Sequence, residues 1–127
     1  MYKRQAIDQV LAPLENPILV SIHSFTPQLK GKKKRPWDIG LLAANDRRFH
    51  NALLGCFASD PRLCIGDNQP YIGKLPGDTI DKHAIEKGRL NTLVEVRNDL
   101  IANNENQKTW AKIIGKNLNQ AKDLLDG

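Results

Sequence analysis

Apolar and polar positions along this chain follow two periods, one near 3.6 residues and one continuous or alternating, and the switches between them mark its elements. Residues 2–14 place Ile7, Val10, Leu11 and Leu14 at helical spacing, and Pro13 with Asn16-Pro17 ends the run. Residues 18–22 are a continuous β-branched and leucine run, which predicts a strand covered on both faces. A loop of Gly, Lys and Pro leads to a second predicted strand at 39–42. Asn45 or Asp46 then caps a helix running to about residue 59, with Phe49, Leu53, Leu54 and Phe57 on one face and Asp60-Pro61 as its stop.

Residues 63–65 predict a third strand that runs into the turn-dense Gly66-Asp67-Asn68-Gln69-Pro70-Tyr71. An irregular loop follows through Gly73 and Pro76-Gly77, residues 79–87 predict a helix, and Gly88 is its natural stop. Residues 92–97 predict a fourth strand. Trp110, Ile113, Ile114, Leu118, Ala121 and Leu125 mark a long helix over about 104–125. Helices and strands alternate, so the class is α/β, with helices packed on a largely parallel or mixed sheet in one domain spanning 1–127.

Composition changes little in this picture: 127 residues, 40% hydrophobic and 26% charged, are ordinary globular usage. No cleavable leader pattern opens the chain and no apolar run nears the roughly 18 residues that span a bilayer, so a soluble, cytoplasmic protein is expected. Cys56 and Cys64 sit in apolar settings and predict reduced, buried thiols, with a disulfide as the lesser reading. The net charge of +5 and the run Lys30-Gly31-Lys32-Lys33-Lys34-Arg35 raise nucleic-acid binding. That cluster is short and belongs to no nucleic-acid module, which favours a solvated loop.

In α/β sheets, binding groups collect beyond the carboxyl ends of strands. Three polar clusters are expected there: His23 after the first strand, Asp67-Asn68 after the third, and Glu95 with Arg97 at the end of the fourth. His23 is open to two readings, a hydrogen-bonded structural residue or a metal ligand. Glu95 follows Leu93-Val94 in a strand otherwise fit for burial, a costly place for a carboxylate unless it is paired or kept for proton transfer. Arg97 alternates onto the same face, so an ion pair and a catalytic role both remain open. His83 and Glu86 stand three apart on a predicted helix, a workable metal-ligand spacing that also arises by chance. His50, beside Phe49 in mid-helix, reads as structural.

Five segments in order then carry a family resemblance: His23-Ser24-Phe25-Thr26-Pro27, Arg35-Pro36-Trp37-Asp38-Ile39-Gly40, Gly66-Asp67-Asn68-Gln69-Pro70-Tyr71, His83-Ala84, and the stretch from Glu95-Val96-Arg97 to Ile101. Together they resemble the C-terminal half of the N-formylglutamate amidohydrolase family. The resemblance implies a zinc hydrolase related in fold to the metallocarboxypeptidases, cleaving N-formyl-L-glutamate or a similar N-acyl amino acid. It also implies that His23 is a zinc ligand and Glu95 the general base and acid. Zinc with an open position acidifies water and polarises a carbonyl, and a nearby carboxylate moves the proton to the leaving amine. A dicarboxylate product calls for guanidinium forks, so Arg35 and Arg97 are expected to bind substrate, with Asn68 and Tyr71 as hydrogen-bonding partners.

The chain also departs from the family pattern. Full members begin with a further segment that carries other zinc ligands and an early strand, and nothing here matches it. A truncated member with an incomplete zinc site is therefore expected, completed by a complementing N-terminal half or by His83 and Glu86. Asp38 follows Trp37 where relatives commonly have His, and Lys32-Lys33-Lys34 lengthens the loop before Arg35. The alternative functions are a catalytically silent remnant that binds a partner through an exposed sheet edge, and a salt-sensitive nucleic-acid binder using residues 30–35.

Overall fold

The computed structural model describes residues 2–70, 83–84 and 87–126. Its elements run α1 (Tyr2–Leu11), β1 (Leu19–Phe25), β2 (Ile39–Leu42), α2 (Arg48–Ala58), β3 (Ile65–Asp67), β4 (Asn91–Arg97), a 3-10 turn (Asn98–Ile101) and α3 (Asn104–Asp126). The four strands form one sheet in the order β1-β4-β2-β3. β1 and β4 are parallel, β2 and β3 are parallel, and β2 runs against β4.

The α/β class and the mixed sheet are as expected: two of the three strand pairings are parallel, and that of β2 with β4 is antiparallel. Parallel pairing needs a crossover, and α2 supplies one between β2 and β3. Residues 26–38, between β1 and β2, form no helix or strand, and β2 enters the sheet in the opposite direction.

Alternation along the strands divides the sheet into two faces. One face presents Ile39 and Leu41 of β2 and Val94 and Val96 of β4 to Phe49, Leu53 and Phe57 of α2 and to Trp110, Ile114 and Ala121 of α3, and this is the core. Of the α2 residues expected on one face, Phe49, Leu53 and Phe57 are buried and Leu54 is half-buried, and His50 is buried as well. The other face carries His23, Glu95, Gly40 and Gly66, with a smaller apolar cluster of Leu19, Leu42 and Leu93.

Several local expectations change for physical reasons. β1 continues to Phe25, so His23 lies within the strand, because backbone pairing to β4 carries the chain past the apolar run. β3 starts at Ile65, two residues after the predicted start, since Asp60-Pro61 and the turn to Leu63 occupy the earlier positions. α1 stops at Leu11, which alone is buried among the helix residues 5–11, and Val10 is 66% and Leu14, beyond the helix, 52% exposed. α2 begins at Arg48 without a side-chain cap at Arg47, while the Asp46 carboxylate accepts from the Arg48 backbone N–H at 3.2 Å and from its guanidinium.

Gly88 takes a positive φ of 67° and ends the segment before β4, as its sequence position suggests. Most of the helix predicted at 79–87, together with Glu86 and Tyr71, falls outside the described residues. The two thiols are free but not buried: Cys56 is half-buried and Cys64 exposed. Among the described residues no helix is long and apolar enough to cross a membrane.

Candidate active site

His23 of β1 and Glu95 of β4 are register partners on adjacent parallel strands, on the face away from α2 and α3. Glu95 also pairs across its other edge with Gly40 of β2. The Glu95 side chain is 8% exposed, and its Oε2 is buried with no hydrogen-bond partner among the described residues. Burial pushes its carboxyl above the ordinary glutamate range, opposed by the positive charges of His23 and Arg35. His23 is exposed, and its Nε2 lies 2.9 Å from Ser21 Oγ, two residues back on the same face.

The ion pair that alternation suggested between Glu95 and Arg97 does not form. Arg97 donates from Nε to Asp99 Oδ1 at 2.6 Å and from Nη1 to Asp38 Oδ1 and the Trp37 carbonyl, each at 3.3 Å. Asp38 in turn accepts from the Cys64 N–H at 2.8 Å through Oδ2, so this arginine and carboxylate tie the end of β4 to the starts of β2 and β3. Arg35 is the arginine whose charge acts on Glu95, alongside His23. Its guanidinium lies 5.8 Å from the centre of the Phe25 ring and donates to the Thr26 carbonyl at 3.0 Å, while its backbone N–H bonds the Pro27 carbonyl.

The mixed sheet changes how the Asp67-Asn68 segment reaches the site. β3 runs against β4, so its end lies at the opposite end of the sheet from that of β4, and the chain must fold back to approach Glu95. Asn68 makes the reversal in a left-handed backbone conformation, φ 55°, with its N–H on the Leu41 carbonyl and its Oδ1 accepting from the Ala43 N–H, both at 2.8 Å. The Gln69 and cis-Pro70 backbone then lies over Gly40 and Gly66. A Cβ at Gly40 would collide with the Gln69 carbonyl oxygen, and one at Gly66 would stand 2.9 Å from that oxygen and 3.0 Å from Trp37 Cδ1. Two bare backbone positions thus let this segment pack beside the strand that carries Glu95.

Behind the turn, Asp67 is held by α2. His50 Nε2 meets Asp67 Oδ1 at 2.8 Å, Arg47 Nη2 meets Oδ2 at 2.5 Å, and His50 Nδ1 lies 3.3 Å from Thr92 Oγ1. His50 is structural, as its sequence position indicated. Its partners were not foreseen, although Arg47 and His50 stand at i and i+3, which puts them on one side of a helical turn. His83 is also occupied: its Nδ1 lies 3.0 Å from Asp8 Oδ1 and it is 3% exposed.

What the fold and this face define is an α/β protein whose buried carboxylate stands beside an exposed imidazole. The chain belongs to the N-formylglutamate amidohydrolase family, whose model matches residues 4–102. Its fold is similar to the crystal structure of gene product Atu2144 from Agrobacterium tumefaciens, with a TM-score of 0.81 and 33% identity. That similarity covers 99% of this chain and 49% of the Agrobacterium protein, so the chain spans about half of that protein's length. No functionally curated protein matches the chain.

Proposed function

We propose that the chain forms the catalytic-base half of a zinc-dependent amidohydrolase that cleaves the formamide of N-formyl-L-glutamate, or of a similar N-acyl amino acid, to formate and the amino acid. The observation that carries this reading is the pairing of His23 with Glu95, one of whose oxygens is buried and unpartnered. A carboxylate so placed is costly unless a ligand or a reacting proton meets it. The metallocarboxypeptidase-like relationship and the cytoplasmic setting belong to the same proposal.

An exposed imidazole next to a carboxylate whose Oε2 has no hydrogen-bond partner among the described residues suits zinc as donor chemistry, with His23 as ligand and Glu95 as base. When bound, zinc would polarise the formyl oxygen and acidify water. Among the described residues no group of three or more His, Cys, Asp or Glu could hold a metal, so further ligands would come from a complementing N-terminal half or from residues not described. Glu95 takes a proton from the attacking water as its oxygen joins the formyl carbon. The C–N bond then breaks and Glu95 returns that proton to the departing amine.

Arg35, whose charge acts on Glu95, is the stronger of the two arginine candidates for a substrate carboxylate. Arg97 would have to use the donor capacity that Asp38, Asp99 and Trp37 leave. Asn68 Oδ1 holds Ala43 and its Nδ2 has no hydrogen-bond partner among the described residues, and Tyr71 is next in sequence after Pro70. The second reading, a chain that is silent without a partner, is favoured by the shortage of metal donors among the described residues. Formate release from N-formyl-L-glutamate separates the two, measured for the chain alone and with the complementing half, with Glu95→Gln as control. Release by the pair that Glu95→Gln abolishes supports hydrolysis, and no release from either sample supports silence.

A further inference from the structure

We infer that the free edge of β1 and the apolar side of α3 next to it form the docking surface for the other half of the family fold, whichever polypeptide carries that half. This rests on the family reading above and adds the surface and the kind of partner it takes: a segment that pairs as a strand with β1 and sets apolar side chains against α3.

Among the described residues, β1 is hydrogen-bonded to β4 alone, so its outer backbone groups are open to a further strand. Ile22, on the helix-facing side of β1, is 57% exposed, although its neighbours on that face of the sheet, Val94 and Val96, are buried. Beside it runs a groove of about 320 Å³ lined by Ile22, Ile101, Trp110, Ala111, Gly115 and Leu118, together with Val96, Ile114 and the polar His23 and Gln107. On α3, positions 107, 111, 115 and 118 fall on one side of the helix, next to the stripe of Trp110, Ile114 and Ala121 that meets the core. The apolar side of the helix is therefore wider than the sheet beneath it.

The occupant follows from the comparison with the Agrobacterium protein. Its similarity uses nearly the whole of this chain but 49% of its own length, so as much chain again must pack somewhere on this half. An edge strand flanked by an apolar groove is where a sheet and its helical layer can both continue. His23 follows Ile22 on β1 with its side chain on the opposite face, so a strand added along β1 runs past the proposed zinc ligand.

Co-expression of this chain with the part of the Agrobacterium protein outside the matched half tests the surface. The variants are Gly115→Arg and Ile22→Lys in the groove, and Gly55→Arg on α2 as control. A Cβ at Gly115 or at Gly55 meets nothing within 4 Å, so neither arginine disturbs this chain's own packing. The expected result is that wild type and Gly55→Arg copurify with the second half, while Gly115→Arg and Ile22→Lys lose about tenfold or more of the association. In the complex, hydrogen exchange slows at the β1 amides. Absence of copurification, or copurification equal in all four proteins, overturns the inference. Zinc content measured on the same samples keeps the two proposals apart: association without zinc retires the metal site and retains the surface, and zinc bound without association does the reverse.

Discussion

His50, fully buried on α2, meets the carboxylate of Asp67 at the end of β3 at 2.8 Å, and Arg47 holds the other oxygen of that carboxylate. Burial lowers the His50 pKa, and Asp67 is kept below the ordinary carboxylate range first by its bond to Arg47. Both groups therefore bind protons less readily folded than unfolded. Their contribution to stability is complete above the ordinary histidine value of about 6.5 and is lost as pH falls through it and then through the lowered Asp67 range. The thermal midpoint should decline between neutral and mildly acid pH. His50→Gln should flatten the first part of that decline while costing about 1–3 kcal/mol at neutral pH. An unchanged pH profile in the variant would show that the pair does not govern acid stability.

Gly40 and Gly115 make opposite predictions for the same substitution. Gly40→Ala drives a methyl group into the Gln69 carbonyl and should cost about 1–3 kcal/mol. Gly115→Ala adds a methyl with nothing within 4 Å in a helix interior, and should stabilise by about 0.5–1 kcal/mol. Denaturant midpoints of the two variants check this directly. Equal effects would mean that the Gln69 segment does not lie on the sheet as described.

Arg35 and Arg97 should separate by what their loss changes. Arg97→Ala removes bonds to Asp38, Asp99 and the Trp37 carbonyl at a side chain 14% exposed, and should destabilise by about 1–3 kcal/mol. Arg35→Ala loses the Thr26 carbonyl bond and the Phe25 contact, and should raise KM for an N-formyl dicarboxylate about tenfold or more. Steady-state kinetics beside thermal melts reads both, and a KM effect confined to Arg97→Ala would reverse the assignment.

Much of this was legible in the chain because packing enforces period. α3 and β4 match their patterns within a residue or two, since each buries a continuous set of apolar positions. Strand direction was not legible, because nothing local to residues 39–42 records that β2 runs against β4. β1 was read short since an edge strand tolerates His23 and Ser24, and β3 was misplaced since Gly66 and Asp67 offer no apolar signal. Within the site, alternation along β4 correctly put Glu95 and Arg97 on one face. The carboxylates that claim Arg97 come from positions 38 and 99, and such a match is made only by the folded sheet.

Glu95→Gln preserves the size of the side chain and removes the proton carrier. Where the complemented protein releases formate, the substitution should lower kcat by about 10²–10⁴-fold with little change in KM. The thermal midpoint should not fall, because the substitution relieves a buried carboxylate that has an unpartnered oxygen. Single-turnover formate release checks the first expectation and a melt the second.

The central claim is that His23 and Glu95 form one hydrolytic centre, and zinc stoichiometry of the complemented protein tests it most directly. Elemental analysis should find close to one zinc in wild type and in Glu95→Gln, and a loss of the metal in His23→Ala. Zinc retained equally by His23→Ala, or absent from all three, would contradict the account.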